Sequence, residues 1–120
     1  MDDVIKWNEA MQQVGDDEEF LRELLGDLKS EAQNQISTIQ GIIANPADTP
    51  YFRIKCAAHA IKGAAANLFC EKLRAAAHDL EKAALHSHES GQDIQNVQTC
   101  YLNLQGAANN YFAFCQSIGV

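Results

Sequence analysis

A histidine, a lysine and a glycine lie close together in the segment AAHAIKGAAANL, which covers positions 57–68. The imidazole of His59 is a nucleophile suited to neutral pH, and the ammonium group of Lys62, one helical turn away, can stabilise negative charge. Lys55 lies one turn before the histidine. These residue types at this spacing suggest a nucleophile in a positive setting that suits a small anionic target, such as a phosphoryl group or an acidic pocket.

The periodicity of the segment predicts a helix with His59 on its solvent side. At about 100° per residue, His59 points about 140° away from an apolar stripe whose members lie within about 40° of one direction; they are Ile54, Ala58, Ile61, Ala65 and Leu68. Lys55 and Lys62 share the face of His59. A glycine inside a helix costs about 1 kcal/mol relative to alanine. Gly63 is therefore interpreted as leaving room for a bulky group beside the imidazole.

These residues resemble the core motif of the histidine-containing phosphotransfer (HPt) family, which reads His-x-x-Lys-Gly within a helix and continues through small residues to Asn-Leu. The matching positions are His59, Lys62, Gly63, Asn67 and Leu68. Residues 7–21 are similar to the family's amino-terminal helix and turn, and residues 73–84 to its next bundle helix. One departure is Phe69, which stands where the family usually has a glycine.

The resemblance implies a phosphocarrier without autonomous kinase activity. A receiver domain carrying an aspartyl phosphate would dock on the helix of His59, and a nitrogen of His59 would attack the phosphorus in line. Lys62, with Lys55, would supply positive charge to the transferred group. No intrinsic cofactor is expected, because Mg²⁺ would belong to the receiver, and no carboxylate cluster of this chain is expected around His59.

The partners implied by the resemblance are response-regulator receiver domains and a hybrid sensor histidine kinase. Receivers in complexes of this family contact their partner through an apolar patch beside the aspartate. The predicted docking residues are therefore Lys55, Phe52, Met11 and Val14.

Composition excludes several other classes of protein. The 120 residues, 47% of them hydrophobic, predict one domain over positions 1–120, and the net charge of −7 argues against nucleic-acid binding. The charge is uneven, since residues 1–31 carry ten acidic and three basic side chains whereas residues 32–82 carry four and six. The sequence contains no apolar run long enough for a membrane span and no signal peptide. A cytoplasmic monomer without a metal site is expected, and the four cysteines are predicted to be reduced and structural.

The predicted fold is all-α: an antiparallel up-down-up-down four-helix bundle with a short additional N-terminal helix across one end. The first helix is expected from about Asp3 to Val14, and a second, capped by Asp16 or Asp17, extends to Ala44. The third covers about Tyr51 to Leu68, the fourth includes Leu73 to Ala84, and the last spans about Asp93 to Ser117. Ser87 to Gly91 is predicted to be a loop.

Alternative sites are weaker. His78, His86 and His88 lack a neighbouring lysine–glycine pair and are predicted to be solvated, with the last two in a loop. No Glu-x-x-His for a di-iron site, phosphate-binding glycine loop or Gly-x-Ser-x-Gly motif occurs. The remaining alternative is a helical adaptor that binds a receiver or kinase without being phosphorylated. The departure from the family pattern at Phe69 keeps this alternative open.

Overall fold

Helices make up almost all of the structure, a computed structural model that describes residues 4–91 and 94–120. They are α1 (Trp7–Gln13), α2 (Glu18–Ala44), α3 (Pro50–Asn67), α4 (Glu71–Ser90) and α5 (Ile94–Ser117). The described ranges contain no β-strand. The predicted all-α class with a short first helix is confirmed.

The four long helices pack side by side. Helix α2 packs against α3 and α5, α4 packs against the same two helices, and α1 lies on α2. The start of α2 meets the end of α5, where the Arg22 guanidinium donates to the Ile118 carbonyl and Lys29 Nζ donates to the Val120 carbonyl at 3.3 Å. The edge of the Trp7 ring contacts Phe114 at this same end of the bundle.

The contact between α3 and α4 is the most extensive in the molecule and fixes the backbone of His59. Small buried side chains line it, including Ala58, Ala65 and Ala77, and they let the two helices approach closely. The five residues predicted to form the apolar stripe of α3 are all buried. Ala66, in contrast, is exposed.

Phe69 adopts the backbone conformation that a glycine would favour at its position. Its φ is +58°, in the left-handed region. The Phe69 amide donates to the Ala66 carbonyl at 3.2 Å, and the Cys70 amide donates to the Ala65 carbonyl at 3.0 Å. This is the Schellman pattern that ends many helices, usually with glycine in the left-handed position. The turn after α3 is thus formed with phenylalanine, and the connection to α4 keeps its tight geometry.

The first helix is shorter than predicted. It begins at Trp7, whereas the predicted start at Asp3 lies outside the described residues. The Lys6 amide donates to the Phe69 carbonyl at 3.1 Å, and Ile5 is fully buried. Ile5 and Lys6 are thereby held against the α3–α4 turn instead of continuing a helix. Of the two predicted caps for α2, the structure uses Asp17, whose Oδ1 accepts from the Phe20 amide at 3.1 Å.

The predicted loop from Ser87 to Gly91 was wrong, because α4 continues to Ser90. Ser87 is 1% exposed and extends the inward-facing row of Leu80 and Ala84 by one turn. Gly91 ends the helix with φ +71°, and its amide donates to the Ser87 carbonyl at 2.8 Å. His86 and His88 therefore lie on a helix. For α5, the predicted first residue Asp93 lies outside the described residues.

All four cysteines are free thiols. Burial, together with the nearby Cys115, raises the pKa of Cys70 to about 12, so this thiol stays protonated and packs as a small apolar group. No helix in residues 4–91 and 94–120 combines the length and apolar character needed to cross a membrane.

Two core tyrosines give opposite predictions for stability. The Tyr111 hydroxyl donates to the Leu25 carbonyl at 2.6 Å, whereas the buried Tyr101 hydroxyl has no partner among the described residues. Tyr111→Phe should lower the free energy of unfolding by about 1 kcal/mol, and Tyr101→Phe should leave it unchanged or raise it by up to about 1 kcal/mol, because an unsatisfied buried hydroxyl is removed. Chemical denaturation measures both; a similar loss in the two variants would contradict the assignment.

Candidate functional site

His59 lies in the middle of α3 with 65% of its side chain exposed. Its Nδ1 atom lies 2.5 Å from Oε2 of Glu81, a residue of α4. An ionised carboxylate can only accept a hydrogen bond, so Nδ1 carries the proton. In the neutral ring this leaves the lone pair on Nε2, and the exposed imidazole can act as a nucleophile through that atom.

Glu81 joins the predicted nucleophile to the predicted lysine. Its Oε1 atom accepts from Lys62 Nζ at 2.6 Å, and the Glu81 side chain is only 15% exposed. Burial alone would raise the pKa of this carboxyl, but hydrogen bonds from Lys62 and His59, and the charge of both, hold it below its ordinary value of 4.5. Glu81 is therefore ionised at neutral pH and fixes both side chains to α4.

Glu81 is a functional candidate that the sequence analysis did not identify. It is a single carboxylate and not a carboxylate cluster of the kind expected to belong to the receiver. The charge of Lys62 is also less available than predicted, because Glu81 pairs with it. An ammonium group has three donors, however. Lys62, with 24% of its side chain exposed, can keep Glu81 while donating to an incoming oxygen.

The signal that could have identified Glu81 is the antiparallel register of α3 and α4. His59 lies ten residues before the turn at Phe69, and Glu81 lies twelve residues after it. Two antiparallel helices joined by a short turn place residues at similar distances from the turn next to each other along the helix axes. Without knowing that α4 starts at Glu71 and that the turn is tight, this register could not be assigned.

Gly63 faces open space. A Cβ atom built there would meet nothing within 4 Å, and the residue is exposed. Internal packing therefore does not require a glycine here. Access to the neighbouring imidazole stays the predicted reason for it.

The predicted docking residues lie on two sides of His59. Phe52 and Lys55 precede it on α3, where Lys55 Nζ lies 4.7 Å from the centroid of the Phe52 ring. The Phe52 ring, 42% exposed, also lies 5.6 Å from that of His88. Met11 packs against the core, and Val14 lines a groove between α2 and α3. The structure does not bring these four side chains into one cluster.

His78 lies closer to the site than expected. Its Nδ1 atom is 3.9 Å from Oε1 of Glu81, although 42% of the side chain is exposed. The side chain is solvated, as predicted, and the α4 helix places His78 one turn before Glu81 on the same face. Across the two described ranges, no group of three or more His, Cys, Asp and Glu side chains is arranged to hold a metal ion.

Comparisons with known proteins bear on the family and the fold of the chain. A family model described as the Hpt domain matches residues 23–108, a range that includes His59, Lys62, Gly63 and Glu81. The X-ray structure of a rice protein described as a histidine-containing phosphotransfer protein is similar, with a TM-score of 0.59 and 16% sequence identity over 98% of this chain and 85% of that chain. At that identity, the likeness shows a common fold alone. No curated protein sequence gives a significant match.

The Glu81 contacts predict a specific dependence of stability on pH. The folded-state pKa of Glu81 lies below 4.5, so its contribution to stability is present above the unfolded value and is lost as pH falls through the folded value. Glu81→Gln should lower the free energy of unfolding at neutral pH and should reduce the loss of stability below about pH 5. Denaturation at a series of pH values measures both effects.

Glu89→Gln, an exposed carboxylate change on the same helix, is the matched control and should keep the wild-type pH dependence. In the Glu81 variant, ¹⁵N NMR should also show that His59 no longer holds its proton mainly on Nδ1. An unchanged tautomer together with an unchanged pH profile would mean that the contact is absent in solution.

Proposed function

The chain belongs to the Hpt domain family, and we propose that it is a phosphorelay intermediate that accepts a phosphoryl group on His59 from the aspartyl phosphate of a receiver domain and passes it to another receiver. A phosphotransfer role in phosphorelays follows from the family. The observation that supports His59 as the acceptor is its exposed ring, held through Nδ1 by Glu81. The Nε2 lone pair is then available to a partner.

Atoms and overall charge balance in the transfer step. The Nε2 lone pair attacks phosphorus, a nitrogen–phosphorus bond forms, and the bond from phosphorus to the aspartate oxygen breaks, which returns a carboxylate to the receiver. The proton stays on Nδ1. The ring becomes cationic on phosphorylation, and the ionised Glu81 stabilises this charge through the hydrogen bond already present. In the reverse direction, the phosphohistidine donates to a second receiver.

Lys62 has two tasks in this proposal. It orients the Glu81 carboxylate, and it offers its remaining donors to the equatorial oxygens of the transferred group, where charge accumulates in a loose transition state. Glu81 offsets part of the charge of Lys62. The stabilisation of the transferred group by Lys62 therefore depends more on a positioned hydrogen bond than on a long-range electrostatic field.

The receiver is proposed to supply the rest of the chemistry. Mg²⁺ and its carboxylate ligands are expected on the receiver domain, and a hybrid sensor histidine kinase is the expected source of phosphoryl groups, both within the cytoplasm. This chain carries no glycine-rich phosphate-binding motif, so it is proposed to act as carrier and not as a kinase. Left-handed Phe69 keeps the turn after α3 tight, so this departure from the family pattern does not by itself favour the non-phosphorylated adaptor.

His59→Gln should abolish phosphoryl acceptance while leaving helicity and the thermal midpoint nearly unchanged, because the side chain is exposed and contributes little packing. The measurement is acid-labile, base-stable phosphate on the purified chain after mixing with a phosphorylated receiver. His78→Gln, His86→Gln and His88→Gln should all still be labelled. Labelling that persists without His59 would place the acceptor elsewhere, whereas an unlabelled wild-type chain that still binds the receiver would favour the adaptor.

Gly63→Gln should slow transfer strongly yet raise the free energy of unfolding by about 0.5 kcal/mol, since glutamine has the better helix propensity. A Cβ atom added there meets nothing within 4 Å, and the rest of the glutamine side chain would occupy the space of the docking partner. Gly106→Gln is the matched control: Gly106 is an exposed glycine of α5, a helix that packs on α2 and α4. It should give the same stabilisation with normal transfer. A stabilised Gly63 variant that transfers at the wild-type rate would refute the access argument.

A further inference from the structure

A groove of about 520 Å³ lies between α2 and α3, further along α3 from His59. Apolar side chains of three segments line it, among them Val14, Leu24, Ala64 and Leu68. Phe20, also in the lining, is 45% exposed. The groove therefore presents an apolar surface to solvent close to the proposed phosphoryl acceptor.

One wall of the groove is acidic. Asp27 and Glu31 line it from α2, whereas α3 contributes Ala64 and the uncharged Asn67. Glu31 Oε1 accepts a hydrogen bond from Gln35 at 3.2 Å. The ion pairs formed within residues 4–91 and 94–120 do not include either carboxylate. We call Asp27 and Glu31 the acidic wall.

The nearby basic side chains do not neutralise the negative charge of the acidic wall. Arg22 and Lys29, the basic residues of α2, donate to carbonyls at the end of α5, on another side of α2. Lys62 pairs with Glu81, and Lys55 lies over Phe52. The acidic wall thus keeps its negative charge next to an apolar floor.

The groove falls within the area that a docked receiver would cover. Asn67 follows His59 by eight residues, which is about 12 Å along a helix. A typical specific interface buries about 800 Å² on each partner, equivalent to a disc of about 16 Å radius. A receiver that places its aspartyl phosphate on Nε2 of His59 therefore extends over the α3 side of the groove, which lies opposite the acidic wall.

We propose that Asp27 and Glu31 select among receivers by charge: the groove accepts a receiver whose contacting surface carries an apolar ridge flanked by lysine or arginine. This inference rests on the proposed function. A receiver with neutral or acidic residues there would cover both carboxylates without pairing them, and an unpaired desolvated charge is strongly unfavourable. The chain would thus discriminate against such receivers through an unfavourable contact. Basic residues on the preferred receiver would also increase its association rate.

The test uses two purified phosphorylated receivers, one with lysine or arginine beside its apolar docking patch and one with aspartate or glutamate there. Wild-type chain should accept phosphoryl from the basic receiver with the lower KM. Asp27→Lys combined with Glu31→Lys should raise that KM by about tenfold at low ionic strength and by less at high salt, and should lower the KM for the acidic receiver. The rate at saturation should change little, because neither residue touches the reacting atoms.

Two further variants complete the experiment. Asp27→Asn with Glu31→Gln should give an intermediate KM, and Asp79→Lys with Glu89→Lys, an equal charge change at exposed positions of α4, should leave the preference between receivers intact. The proposal is overturned if the α4 pair changes the preference as much as the α2 pair, or if the α2 pair leaves it unchanged. Failure of both receivers to label His59 would instead refute the proposed function.

Discussion

The hydrogen bonds of Glu81 to His59 and Lys62 are the contacts on which the proposed site depends. They join α3 to α4 through one carboxylate with 15% of its side chain exposed. Such a contact needs two helices that approach closely at a fixed register, and the buried alanines between them provide the close approach. The tight turn at Phe69 provides the register. A bulky residue held at φ +58° is unfavourable by itself, so the surrounding packing, including the Lys6 amide bonded to the Phe69 carbonyl, must stabilise it.

Whether the sequence predicts a feature depends on how far apart in sequence the interacting residues lie. The exposure of His59 and the buried stripe of α3 depend on helical periodicity, which is local, and both were predicted correctly. The position of Glu81 opposite His59 depends on two helices separated by a turn and could not be read from either helix. The end of α4 was predicted too early because residues 86–90 are polar, while the single inward residue Ser87 is small and hydroxylated. The start of α1 depends on a backbone contact with residue 69, again remote in sequence.

The site is not the simple positive patch that the lysines predict. Lys62 and Glu81 together carry no net charge, so a phosphoryl group approaches a lysine whose charge is already offset by a carboxylate. In the proposed reaction, the arrangement instead favours the phosphorylated state, because the ring would gain positive charge only after the nitrogen–phosphorus bond forms, next to a carboxylate already in place. Preorganised groups of this kind need little rearrangement during the reaction. The proximity of His78 to the same carboxylate adds a third possible donor at 3.9 Å.

A phosphorelay intermediate has to meet a donor and an acceptor at one histidine, so the surface around that histidine must be shared. In this chain the two sides of His59 differ. The aromatic and cationic side chains of Phe52, Lys55 and His88 lie toward the start of α3, and the groove with its acidic wall lies toward the end. A partner that is complementary to both sides must carry different charges at the two ends of its docking surface. This difference fixes the orientation of the partner over the imidazole. The acidic wall therefore acts on which partner binds and in which orientation, whereas the in-line step itself depends on the groups that contact the transferred phosphoryl group.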